Sequence, residues 1–127
     1  APFAHNAHVG KWLETVDRIM KMDVDTIVPG HGPLCGKKEL GEMAEYFRTL
    51  QTEARRRFDA GMSPGRAAAD IKLGKFDNWI GPERIVMNTV RLYNEFRGIG
   101  GPDYDIAGTQ KASEEYNASL ASRGLKR

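Results

Sequence analysis

One short run, Asp25-Thr26-Ile27-Val28-Pro29, is strand-like in a chain whose other apolar residues recur mostly at helical spacing. Its β-branched residues favour an extended backbone, and Pro29 ends it by removing a hydrogen-bond donor. A lone strand leaves its own N–H and C=O groups without partners and cannot be buried by itself. Either it pairs with another chain, or the polypeptide is the end of a larger α/β protein whose other strands precede Ala1.

The rest of the sequence predicts helices. With Asn6 as N-cap, Val9, Trp12, Leu13, Val16, Ile19 and Met20 form an amphipathic stripe. The longest helix is expected from about Lys37 to Ala60, on a stripe that includes Leu40, Phe47, Leu50, Ala54 and Phe58. Ser63, Pro64 and Gly74 are start and stop signals for a short helix. A fourth follows Gly81-Pro82-Glu83, with Ile85, Val86, Val90, Tyr93 and Phe96 facing inward. Beyond Gly98, Gly, Asp, Ser and Ala dominate, so residues 99–127 read as a polar, flexible tail with at most a frayed helix around Gln110 to Leu120.

With 127 residues, 40% of them hydrophobic and 28% charged, the chain has the size and balance of one soluble domain. It contains no apolar run near the roughly eighteen residues that a membrane helix needs, and no membrane partner is expected. A net charge of +2 with both signs interleaved gives no footprint for nucleic acid. Cys35 is the single cysteine and makes no intramolecular disulfide. The stretch APFAHNAHVGKW lacks the basic and apolar regions of a signal peptide, and a cytoplasmic setting is the expectation.

Few residues carry chemistry. His31 stands between Gly30 and Gly32, an arrangement that suits an imidazole required to approach a metal or substrate closely on a tight turn. His5 and His8 form an H-x-x-H pair, a spacing that arises often by chance. Cys35 reads as a free, partly buried thiol, and Arg55-Arg56-Arg57 as solvated arginines on a polar helix face. Trp12, Phe76 and Trp79 are expected in the core or an interface.

The segment Asp25 to Pro33, DTIVPGHGP, follows the W-L-x-x-V-D-R-I helix of Trp12 to Ile19 and precedes a long amphipathic helix. In this it resembles the C-terminal portion of metallo-β-lactamase-fold hydrolases, over roughly Phe3 to Gly98. The resemblance implies an α/β parent, an αββα sandwich, with residues 1–98 as its C-terminal part. It also implies a binuclear zinc site in which His31 is one ligand of the second metal, and a small-molecule substrate hydrolysed by that parent. Zinc accepts imidazole nitrogen, and paired metals supply a bound hydroxide near neutral pH. The family's H-x-H-x-D-H run, its middle histidine and its bridging aspartate are missing from these residues. The chain is therefore expected to be an inactive fragment of a zinc-dependent hydrolase, mainly helical with one short strand, holding an incomplete site and prone to self-association. The alternative is a small helical module that binds protein or nucleic acid, in which the glycine turn has no metal role.

Overall fold

The computed structural model of the protein describes residues 1–101 and 103–125. Its architecture is mainly helical. Helices α1 (Val9–Met20), α2 (Lys37–Asp59), α3 (Pro64–Asp70), α4 (Arg84–Phe96) and α5 (Ile106–Ser122) are joined by loops and one 3₁₀ turn, Gly74–Asn78. No helix is long and apolar enough to cross a membrane among the described residues.

Helices α1, α2 and α4 fall where the apolar stripes predict them, and α3 starts where Ser63 and Pro64 signal it. One cap differs: His8, not Asn6, ends the loop before α1, and its Nδ1 accepts the Lys11 N–H at 3.4 Å. Residues just before it are held in a turn by Ala7 N donating to Ala4 O at 3.0 Å. The expected α3 stops earlier than Gly74, at Asp70.

α1 lies on α2, α2 on α4, and α3 is wedged between α4 and α5. Val9 and Val16 of α1, Phe47 and Leu50 of α2, Ala67 to Ala69 of α3, and Ile85, Leu92 and Tyr93 of α4 are buried in one cluster. Tyr46, Phe76 and Trp79 close one side of it, with Tyr46 and Trp79 stacked at 5.7 Å and Phe76 edge-on to Trp79 at 4.8 Å. The N-terminal arm is tied to α4 by Asn88, which is fully buried. Its Oδ1 accepts Ala4 N–H at 2.9 Å and its Nδ2 donates to Pro2 O at 3.0 Å.

Two expectations are corrected. No β-strand forms among the described residues: the Asp25–Pro29 run makes only a single antiparallel bridge, Ile27 to Cys35, closed by hydrogen bonds of 2.8 and 3.1 Å. Residues 99–127 do not read as a loose tail over their described part. They contain α5, whose Ala112, Tyr116 and Leu120 are buried against the other helices. Burying a Leu-sized side chain contributes about 1.5–3 kcal/mol, which outweighs the poor helix propensity of a Ser-, Asn- and Gly-containing segment. Residues 102, 126 and 127 of that expected tail lie outside the described residues.

Candidate functional site

The turn that carries His31 is built from the Ile27–Cys35 bridge. Cys35 N–H and C=O are both engaged by Ile27, so the residues between them form an open loop ahead of α2. Glu39 reaches back from the first turn of α2 to accept Gly36 N–H at 2.9 Å, fixing where the helix starts. Lys37 Nζ donates to Met22 O from the other side of the loop.

His31 is exposed on this loop and makes no hydrogen bond, ion pair or ring contact among the described residues. Of its two flanking glycines, only Gly32 has a positive φ, 109°, a conformation that a side chain would strain. A Cβ at Gly30 would meet open space. Val28 and Leu34, on either side of the turn, are 78% and 68% exposed. Thr26 and Val28 make no backbone hydrogen bond among the described residues, which leaves one edge of this extended segment open.

The other candidates lie elsewhere or are occupied. His8 caps α1, with its Nδ1 3.4 Å from Glu95 Oε2. His5 packs edge-on between Phe3 and Tyr104, at centroid distances of 4.0 and 4.9 Å. The two histidines of the H-x-x-H pair thus serve different contacts. Cys35 is a free, half-buried thiol. The arginine run is ion-paired: Arg55 with Asp59, Arg56 with Glu53, and Arg57 with both Glu53 and Asp70. Arg57 is the most sheltered, and its hydrogen bonds hold the Glu53 and Asp70 carboxyls below their ordinary range.

A zinc site needs three or four ligands. Among the described residues no group of three or more His, Cys, Asp or Glu side chains is placed to hold a metal ion. His31 is a single donor, so the donor set on this chain does not fit a complete zinc centre. The structure brings together a second set of polar residues that the sequence reading passed over: Tyr93, Arg97, Lys111 and Glu115, all lining one cleft between helices. By its spacing Tyr93 is only an inward-facing member of a helical stripe. Lys111 and Glu115 stand one turn apart on α5 and Arg97 caps α4, so nothing in the sequence joins them before the two helices dock.

Comparison of the chain with protein-family models, with curated proteins and with solved structures finds no match.

Proposed function

We propose that this chain is the C-terminal part of a metallo-β-lactamase-fold metallohydrolase, with an αββα parent, in which His31 is one ligand of the second metal of a binuclear zinc site. The observation that carries the reading is the exposed His31 turn beside an open backbone edge. An extended segment with free N–H groups at Thr26 and Val28, and exposed Val28 and Leu34, has the features of a strand that adds to a sheet. An imidazole free of local partners on the following loop is available as a ligand. The remaining ligands, and the substrate, belong to residues outside this sequence, so the chain alone is not catalytic.

Two measurements test this. Codons preceding Ala1 in the gene are expected to encode an H-x-H-x-D-H segment, and a reading frame without one overturns the proposal. The purified chain, dialysed against a weak chelator with zinc added, is expected to retain far less than one zinc per chain and to leave esters, thioesters and β-lactams intact. Near-stoichiometric zinc with turnover that disappears in His31→Ala sinks the fragment reading.

A second reading, a helical module that binds protein or nucleic acid, draws on the core that the five helices form by themselves. It differs in expecting no metal-ligand motif ahead of Ala1 and no role for His31.

A further inference from the structure

Where the end of α2, the start of α3, the second half of α4 and the first half of α5 meet, they leave a cleft of about 410 Å³. That is within the range of small-molecule sites. Phe58, Met62 and Val90 give it an apolar wall. Three of its lining residues each keep a buried polar atom with no hydrogen-bond partner among the described residues: Ser63 Oγ, Tyr93 Oη and Glu115 Oε2. Buried polar groups are normally paired, so their convergence on one cleft points to a ligand there. Tyr93 is only 1% exposed. Burial pushes its phenol up to about 12, so at neutral pH it is a hydrogen-bond donor.

The charges in the cleft are of both signs. Arg97 and Lys111 line it without an ion-pair partner among the described residues. The Arg97 guanidinium lies 5.8 Å from the ring centroids of both Phe58 and Tyr93, and its Nη1 donates to Asn94 Oδ1 at 3.4 Å. These contacts hold it at the cleft wall. Asp105, also in the lining, accepts Asn94 Nδ2 at 3.0 Å and Gly108 N–H at 2.8 Å, and these bonds, with the nearby Arg97 charge, hold its carboxyl below the ordinary range. Glu115 Oε2, buried with no partner among the described residues, is the carboxylate oxygen most in need of a donor from a ligand. A lone anion would face Glu115, and a lone cation would face Arg97 and Lys111. A zwitterion suits both.

We propose that this cleft binds a free α-amino acid with an apolar side chain, its carboxylate held by Arg97, Lys111 and the Tyr93 hydroxyl, its ammonium by Glu115, and its side chain against Phe58 and Met62. This site is independent of the metal reading of the His31 turn.

The test titrates L-phenylalanine into the 127-residue chain, followed by calorimetry and amide NMR, with phenylacetate and phenethylamine as half-ligands. Saturable binding of L-phenylalanine is expected, with shifts concentrated at residues 61–64, 93–97 and 108–115. Each half-ligand is expected to bind at least about tenfold more weakly, since each lacks one of the two charged groups and every contact that group makes. Arg97→Gln, at an exposed position, and Glu115→Gln, at a half-buried one, are expected to weaken L-phenylalanine by about tenfold each while the far-ultraviolet circular dichroism stays unchanged. The proposal is overturned by the lack of saturable binding up to roughly 10 mM, the weak end of small-ligand affinity. Equal affinity for the half-ligands overturns it too, as do shifts outside the cleft or wild-type affinity in folded Arg97→Gln.

Discussion

Glu95 of α4 accepts the backbone N–H of Val9, the first residue of α1, at 2.6 Å. One helix thereby satisfies an N-terminal donor of another, a role that usually falls to a local cap or to water. The same carboxylate accepts Arg91 Nε at 3.3 Å, and Arg91 Nη1 donates onward to Gly101 O at 2.6 Å. The Arg91 and Glu95 side chains are 4% and 5% exposed. This buried pair ties the start of α1 and the chain after α4 to one point on α4.

Removing Glu95 leaves Arg91 as a buried charge without its carboxylate, a change that typically costs about 3–5 kcal/mol. Glu95→Ala is expected to lower the stability of the chain by that amount in urea unfolding, with the denaturant slope unchanged. A loss below about 1 kcal/mol, the scale of an exposed pair, would show that the pair is solvated in solution.

Gly65 sets the closest approach of α3 to α5. A Cβ built there would lie 2.2 Å from the Ala112 carbonyl oxygen and 2.7 Å from Glu115 Cβ. Helix propensity alone favours Gly65→Ala by up to about 1 kcal/mol. Overpacking a tight contact costs about 1–3 kcal/mol and is expected to dominate, because the atom in the way is backbone. Gly65→Ala should be destabilised, with amide exchange accelerated first in α5. A variant more stable than the parent would mean that α5 does not dock at this distance.

How much of this was readable in the sequence depended on side-chain size. Helices α1, α2 and α4 carry large apolar residues at helical spacing, and Pro64 marks the start of α3. α5 buries Thr109, Ala112, Tyr116 and Leu120, which share a face, but two of the four are small and the stripe looks polar. The Asp25–Pro29 run has strand propensity, yet propensity without a neighbour yields one bridge. Pairings such as Glu95 with Val9 and Asn88 with Ala4 span 86 and 84 residues, beyond the reach of local pattern. The placement of His31 on a loop was legible from its flanking glycines and Pro33. The cleft around Tyr93 was not, since its polar residues acquire meaning only when α4 and α5 are side by side.

Acid should unfold the chain through particular carboxylates. Asp105 is held below its ordinary range by the Asn94 amide and then by Gly108 N–H, and Asp70 and Glu53 by Arg57. In each case the unfolded state takes up its proton at a higher pH than the folded state. The stability they contribute is therefore complete above the unfolded carboxyl range, near pH 4, and is lost as pH falls through the lowered folded values. The melting temperature should be nearly flat from about pH 7 to 5 and drop below about pH 4. Asp105→Asn should be less stable than wild type at neutral pH, with the two curves converging in acid. Parallel curves down to about pH 2 would remove Asp105 from this role. Asp70 is 38% exposed, so its share should shrink further in high salt.

The open edge beside His31 should be visible in how the chain associates. Thr26 and Val28 have no backbone hydrogen bonds among the described residues, and Met22, Val28 and Leu34 are exposed around them. An extended segment with free donors and apolar side chains is a template for another strand, and in the isolated chain the available strand is the same segment of a second copy. Sedimentation is expected to show a dimer whose fraction rises with concentration. Val28→Lys puts a charge on the edge, and Thr26→Pro removes a donor from it; neither position lies in the helical core. Both variants should sediment as monomers with the helical circular dichroism of the parent. A parent that stays monomeric at high concentration, or a dimer untouched by both substitutions, would show that this edge recruits no strand and would take away the main support for a missing sheet.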